Sequence, residues 1–195
     1  MIRTSQSHPL LIAEIPIGQR GGGVGVTFAP GKFQDIAMTG SWARDLDTDL
    51  AAIKAWGAAH LITLIESWEF EELRIQRLPE RASQQGLQWH GLPITDGAAP
   101  DERFLVPWKT LGPALCDELL DGRRLVVHCK GGLGRAGTVA ALLLLDTRTA
   151  PSAGSAVAMV RAVRPGAVET RAQEEFIRQW GTPASNSGFE RSTAS

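Results

Sequence analysis

The chain has 195 residues, 43% of them hydrophobic, which suits one domain with a real core. A formal net charge of −1 gives no overall electrostatic reason to bind nucleic acid or an anionic membrane, so we expect neither partner. Its two cysteines, Cys116 and Cys129, are too few for a disulfide scaffold, and residues 1–9 lack the apolar core of a signal peptide. These features together predict a cytoplasmic protein.

The N-terminal part of the chain predicts one strand and one helix. After a flexible N-terminus over residues 1–9, residues 10–17 predict a strand, and the glycine-rich residues 18–25 predict a loop that is a weak candidate for a phosphate cradle. The aspartates near the start of residues 45–56 suit the N-terminus of a helix. A calcium loop would need glycine where Leu50 stands, so we interpret these acids as helix caps.

The rest of the chain alternates between strand and helix patterns. Predicted strands cover residues 61–65, 87–94 and 124–128, and predicted helices cover residues 70–85 (interrupted near Pro79), 104–120, 138–148, 155–163 and 171–180. This alternation predicts a single α/β domain over residues 10–181, with a mostly parallel central sheet flanked by helices. Residues 182–195 are rich in Ser, Thr and Gly and predict a disordered tail.

The most informative segment is residues 128–138, which read HCKGGLGRAGT between a predicted strand and a helix. Three of the five residues between Cys129 and Arg135 are glycines, so the backbone can curl and point its N–H groups inward as an anion nest. A tetrahedral oxyanion fits such a nest. The predicted phosphate-binding residues are Lys130, Gly131, Gly132, Leu133, Gly134 and Arg135.

The same segment predicts a reactive thiolate. The helix that begins near Arg135 directs the positive end of its dipole at the nest, and the guanidinium can bind two oxygens of an anion. Both features favour the thiolate form of Cys129, which is a nucleophile when it faces a bound phosphorus atom. Lys130 beside it adds attraction for phosphate, or it is simply a solvated lysine at the rim.

An alternative pattern lies within these residues. Residues 132–137 also satisfy GxGxxG, the fingerprint of dinucleotide-binding folds. That fingerprint requires a second strand that ends in an acidic residue about 20 positions later, whereas the sequence after this helix predicts another helix. We therefore do not interpret the motif as a nucleotide site.

Cleavage of a phosphate ester also needs an acid that protonates the leaving oxygen. Two aspartates follow the predicted strand at residues 87–94, namely Asp96 and Asp101. Asp96 is followed by the flexible Gly97, which suits a loop that closes over a substrate, although an Asp-Gly pair is equally typical of a simple turn. From the residues alone both aspartates remain candidates.

Four segments together give a family resemblance. These are residues 28–33, residues 90–101, the HCKGGLGRAG loop with its HCxxGxxR signature, and residues 166–173. They resemble the kinase-associated phosphatase branch of the dual-specificity phosphatases, within the cysteine-dependent protein tyrosine phosphatase superfamily. The resemblance implies the protein tyrosine phosphatase-like fold, with the cysteine loop between a strand and a helix.

The resemblance also implies roles for individual residues. Asp96 falls on the general acid, and Gln173 matches the position near which an amide orients the attacking water. Without the resemblance, Gln173 is equally a solvated helix residue. His128 would hold the loop and tune the thiolate. The family usually has Ser or Thr after the signature arginine, whereas this chain has Ala136, with Thr138 as the nearest hydroxyl.

The sequence thus predicts a phosphomonoester hydrolase of dual-specificity type that forms a cysteinyl-phosphate intermediate and needs no metal or cofactor. The chain has no tyrosine to stack on a phosphotyrosine ring, which favours a shallow pocket that accepts phosphorylated proteins of several kinds. Two alternatives remain open, a phosphoprotein-binding module without activity and a phosphatase for phosphoinositides or other small phosphoesters. The oligomeric state is left open.

Overall fold

The computed structural model describes residues 2–35 and 40–181, which form an α/β domain. The elements in chain order are β1 (Ala13–Ile17), β2 (Gly22–Phe28), β3 (Phe33–Gln34), β4 (Trp42–Ala43), α1 (Leu46–Ala55), β5 (Ala58–Thr63), α2 (Ser67–Glu72), α3 (Leu78–Gln84), β6 (Gln88–Gly91), α4 (Glu102–Leu120), β7 (Arg124–Cys129), α5 (Gly134–Asp146), α6 (Ala153–Val163) and α7 (Arg171–Trp180).

The main sheet has five strands in the order β1-β2-β7-β5-β6. β7 lies at its centre and pairs in parallel with β2 and β5, β6 is parallel to β5, and β1 is the antiparallel edge strand. The α/β prediction with a mostly parallel sheet is therefore confirmed. Because the four parallel strands end at the same edge, the segments after Phe28, Thr63, Gly91 and Cys129 meet there.

Helices cover both faces of the sheet. One core cluster joins the sheet to buried residues of α4, α5, α6 and α7, and the other joins it to α1 and α3. α5 is buried along almost its whole length, as its apolar sequence on all sides requires. This central helix therefore runs through the core with its N-terminus at the carboxyl edge of the sheet.

The glycine-rich segment before Phe28 differs from the prediction. Instead of a loop over residues 18–25, the segment has a turn over residues 18–21, and residues 22–25 belong to the fully buried strand β2, which does not fit the weak phosphate-cradle hypothesis. Its glycines allow close packing: a Cβ on Gly25 would lie 2.5 Å from Ile12 Cγ2, and a Cβ on Gly22 would collide with the Leu119 carbonyl. These two glycines therefore allow neighbouring elements to approach the strand closely.

Several predicted boundaries also shift. The helix predicted over residues 70–85 is two helices, because the chain turns between them at Arg74, whose φ is 56°. Pro79 lies in the first turn of α3, where proline is tolerated. The helix predicted over residues 138–148 begins four residues earlier at Gly134.

The sequence predicts a flexible N-terminus over residues 1–9 and a disordered tail over residues 182–195. The segment predicted as a flexible N-terminus packs on the domain: Arg3 pairs with Trp42, and Arg44 Nη1 donates to the His8 carbonyl at 2.7 Å. The tail predicted over residues 182–195 lies outside the described residues. Within residues 2–35 and 40–181, no helix has both the length and the apolar content to cross a membrane.

Candidate active site

The segment from Cys129 to Arg135, the phosphate loop, connects β7 to α5 at the carboxyl edge of the sheet. Cys129 is 3% exposed, and the Gly132 N–H donates to its sulfur at 3.2 Å. Gly132 has a φ of 69°, and a Cβ there would lie 2.6 Å from the Phe28 backbone nitrogen. Only glycine therefore allows the loop to curl over the thiol while packing on the end of β2.

Two side chains act on the outside of this loop. Arg164 donates from Nε to the Gly132 carbonyl and from Nη2 to the Gly131 carbonyl, each at 3.0 Å. These bonds hold the two carbonyl oxygens on the outside of the loop. The Lys130 ammonium donates to both carboxylate oxygens of Glu72, each at 2.7 Å.

Arg135, the signature arginine, is only 1% exposed and held on several sides. Its two terminal nitrogens donate to the Glu69 carboxylate at 2.6 and 2.9 Å, and one of them also reaches the Ile94 carbonyl at 3.2 Å. Its Nε is buried and has no hydrogen-bond partner among the described residues. A guanidinium fixed in this way can donate a hydrogen bond from its Nε–H to an oxygen of a bound oxyanion.

The two candidate acids have different surroundings. Asp96 Oδ1 lies 3.1 Å from Nη2 of Arg135, and its side chain is 68% exposed. Asp101 instead caps α4 by accepting from the Arg103 N–H, and it forms an ion pair with the Arg103 side chain. The hydrogen bond from Arg103 lowers the pKa of Asp101, which makes it a poorer proton donor. The structure thus brings Asp96, and not Asp101, to the phosphate loop.

His128 is completely buried below the loop. Its Nε2 lies 2.7 Å from Thr63 Oγ1, and the Trp89 indole N–H donates to the same oxygen at 2.9 Å. Burial, with a smaller contribution from the Arg135 cation, lowers the pKa of His128 to about 3. The imidazole is therefore neutral at pH 7, which fits a residue that holds the loop rather than one that exchanges protons.

Gln173 is also fully buried, at the start of α7. Its Oε1 accepts from the backbone N–H groups of Glu169 and Thr170 at 2.9 and 3.3 Å, and Nε2 contacts the Ala98 carbonyl at 3.4 Å. The reading of Gln173 as a solvated helix residue is therefore wrong. Thr170 Oγ1 donates to the Gly97 carbonyl at 2.9 Å, so the start of α7 holds the loop that carries Asp96.

Thr138, the other hydroxyl considered for the site, is buried within α5. Its Oγ1 donates to the Gly134 carbonyl one turn earlier, at 2.8 Å. Because a hydroxyl has a single proton, this bond leaves none for the sulfur of Cys129. Ala136 is buried with no polar side-chain atom.

A buried lysine adds charge to this region. Lys32 is 6% exposed, and its ammonium lies 4.8 Å from the centre of the Phe28 ring and 4.4 Å from that of Trp42. Burial, together with the neighbouring Arg44 cation, lowers the pKa of Lys32 to about 8. With Arg135 and Arg164, it makes the surroundings of Cys129 electropositive.

Sequence reasoning missed Glu69, Arg164 and Lys32. Glu69 had a usable signal, because Glu66 and Glu69 have the spacing of a capping box, which the structure forms at the start of α2. Its pairing with Arg135 depends on the tertiary fold and has no local pattern. The same is true of Arg164, which is distant in sequence from the loop that it holds.

The other three histidines are not part of the candidate site. His60 is hydrogen-bonded to His90 at 3.1 Å and to Glu118 at 2.8 Å, away from the phosphate loop, and His8 is an exposed residue of the N-terminal segment. Across the described part of the chain, no group of three or more His, Cys, Asp or Glu side chains could hold a metal ion.

A thiol in a nest of N–H groups, with a fixed arginine at the start of a helix and an aspartate on a neighbouring loop, defines the cysteine-dependent phosphatases as a class. The chain belongs to the family described as "Swiss Army Knife protein, DSP-PTPase phosphatase domain" (PTP-SAK), whose model matches residues 36–177. The protein is a phosphatase of dual-specificity type, and therefore a hydrolase.

Known relatives agree with this assignment. The chain is 30% identical to cyclin-dependent kinase inhibitor 3 of Rattus norvegicus over 159 residues, which cover 80% of this chain and 71% of the relative. It is similar to the solved structure of kinase associated phosphatase with serine in place of its catalytic cysteine (TM-score 0.74, 26% identity, 89% and 94% of the two chains). Tk-PTP in its active form is similar over 87% and 96% of the chains, with a TM-score of 0.61 and 26% identity.

Proposed function

We propose that Cys129 is the nucleophile of a two-step phosphomonoester hydrolysis. Its sulfur attacks phosphorus, so that an S–P bond forms while the ester P–O bond breaks. Arg135 and the N–H groups of residues 130–134 hold the phosphoryl oxygens, with His128 supporting the loop from below. The observation that carries this proposal is the Gly132 N–H bonded to the sulfur at 3.2 Å, beside an arginine whose buried Nε has no partner among the described residues.

Asp96 is the proposed acid and base. In the first step it gives its proton to the leaving oxygen, and in the second it takes a proton from the water that attacks phosphorus as the S–P bond breaks. Its 3.1 Å contact with Arg135 supports this assignment.

Gln173 is the proposed group that places this water. One Nε2–H makes a long contact of 3.4 Å with the Ala98 carbonyl. An amide nitrogen carries two hydrogens, and the second N–H has no acceptor among the described residues, so it can bind a water molecule. Gly134, at the start of α5, lies against this amide: a Cβ on it would be 2.9 Å from Nε2. Thr138 supports the loop through its bond to the Gly134 carbonyl.

The proposed substrates are phosphorylated proteins, in the cytoplasm and without a metal or cofactor. The kinase associated phosphatase and the cyclin-dependent kinase inhibitor 3 relatives support a protein substrate. Two unpaired cysteines, both buried, suit a reducing compartment. The electropositive surroundings of Cys129 equally suit a phosphoinositide, which therefore remains the second candidate.

A substrate panel tests the proposed function. We expect the protein to hydrolyse an aryl phosphate at the same rate with and without a chelator, and to hydrolyse phosphopeptides faster than phosphoinositides. Phosphate release under matched conditions measures both comparisons. If no substrate is turned over, the protein is a phosphoprotein-binding module without activity. If phosphate is released faster from phosphoinositides, the protein is a phosphoinositide phosphatase.

We expect Asp96→Asn to lower kcat by roughly 10²-fold for phenyl phosphate, the usual scale of a lost general acid. In kcat/KM, which reports the first step, the loss should be smaller for 4-nitrophenyl phosphate than for phenyl phosphate, because a good leaving group departs without protonation. The matched control is Asp101→Asn, which keeps the cap of α4, because the Asn oxygen can still accept from the Arg103 N–H, and which should leave kcat nearly unchanged. If the two variants ranked in the opposite order, Asp101 would be the acid.

We expect slow hydrolysis of the phosphoenzyme, because neither Ala136 nor Thr138 can donate a hydrogen bond to the departing sulfur. A hydrogen bond to a charged group is worth about 1.5–3 kcal/mol, so Ala136→Ser should raise the steady-state rate about tenfold. Rapid-quench kinetics with an activated aryl phosphate should show a burst in the wild type and in Thr138→Ala. A wild type without a burst, together with a burst in Thr138→Ala, would show that Thr138 already supplies the bond.

A further inference from the structure

The first N–H group of α5 is already occupied in the free protein. Gly134 is the first residue of the helix, so its N–H has no acceptor within the helix. It donates to Oε2 of Glu169 at 2.7 Å. One of the donors that the phosphate loop offers to an oxyanion is therefore bound by a carboxylate of the chain itself.

The segment around Glu169 is fixed against the loop. Arg161 donates to the carbonyls of Ala167 and Val168 at 2.9 and 2.8 Å, and Val168 has a left-handed φ of 58°. The Glu169 N–H is bonded to Gln173, as described above. The backbone thus delivers this carboxylate to Gly134, where a Cβ would lie 2.6 Å from its oxygen.

We propose that Glu169 competes with the phosphoryl group for the Gly134 N–H, and so weakens the binding of substrate and of the phosphate product. A carboxylate oxygen and a phosphoryl oxygen are both anionic acceptors, so they repel each other and cannot both accept this N–H in good geometry. The Glu169 side chain is exposed, and it can rotate into water when phosphate enters. Its return to the N–H favours release of phosphate.

The proposal predicts that oxyanions bind more tightly when Glu169 is replaced. Glu169→Gln keeps the shape of the side chain but removes the charge, and Glu169→Ala removes the acceptor. Both should lower the inhibition constants of inorganic phosphate and orthovanadate, by about tenfold for the loss of one hydrogen bond to a charged group. KM should fall with them. A purely structural role predicts the opposite, because a damaged loop binds oxyanions less tightly.

The matched control is Glu175→Gln, which makes the same change of charge on α7 at an exposed residue that pairs with Arg178. It should leave both inhibition constants unchanged. Calorimetric titration of each protein with inorganic phosphate checks the kinetic values without turnover.

The inference rests on the proposed role of the phosphate loop, and the two can fail separately. If the wild type binds phosphate and Arg135→Lys does not, the loop is the oxyanion site. Unchanged or weaker binding in Glu169→Gln would then overturn the competition alone, as would equal tightening in Glu175→Gln. If neither the wild type nor Glu169→Gln binds phosphate or vanadate, both the loop assignment and the competition are wrong.

Discussion

Cys129→Ser is expected to abolish turnover, with a loss of roughly 10⁴-fold or more, the scale seen when a covalent nucleophile is removed. A serine hydroxyl at this position is not ionised at neutral pH. The adjacent His128 is a poor base for its proton, because its Nε2 contacts Thr63 and burial lowers its pKa to about 3. The reaction would therefore lack its S–P intermediate. Phosphate release from an aryl phosphate measures the loss.

Binding should largely survive the same change. In the proposed mechanism the oxyanion is held by backbone N–H groups and by Arg135, which Glu69 fixes independently of the sulfur. Calorimetric titration with phosphate should therefore give a similar affinity in Cys129→Ser. Cys116→Ser is the matched control, since Cys116 is a buried thiol of α4 in the apolar core, and it should keep its activity. Turnover that survives in Cys129→Ser would eliminate the covalent mechanism.

The local pattern of the chain was sufficient to predict the phosphate loop. Three glycines, a cysteine at a strand end and an arginine at a helix start are all determined within a few residues, and the strand and helix around them follow from continuous apolar runs. Asp96 was less certain, because an aspartate beside a glycine is also a common turn. Its position depends on β6 lying next to β5, which is a property of the whole sheet.

The residues that surround the loop could not be predicted in this way. Glu69, Arg164 and Glu169 each contact the loop from a distant part of the chain, through one or two hydrogen bonds that leave no periodicity in the sequence. The glycine-rich strand β2 was misjudged for a related reason: glycine permits both a turn and a crowded strand, and only the neighbours decide which forms.

Arg135→Lys is expected to lower kcat roughly 10³-fold, the upper scale for losing one preorganised donor at a charged transition state. The guanidinium has two roles in the proposed mechanism: its terminal nitrogens hold the Glu69 carboxylate, and Nε, which has no partner among the described residues, binds the phosphoryl group. A lysine ammonium is one point charge and cannot do both. The lysine ammonium would pair with the buried Glu69 carboxylate and would not reach the oxyanion, so phosphate affinity should fall as well.

Arg164→Lys is the comparison that separates the two arginines of this loop. Arg164 bonds only carbonyl oxygens on the outside of the loop, so its replacement should cost much less activity than that of Arg135. Thermal unfolding of both variants identifies any loss of folded protein, because breaking a buried ion pair can cost about 3–5 kcal/mol. If folded Arg135→Lys kept a near-normal rate and bound phosphate as the wild type does, the segment from Cys129 to Arg135 would not be the active site, and the nucleophile would have to be sought elsewhere on the carboxyl edge of the sheet.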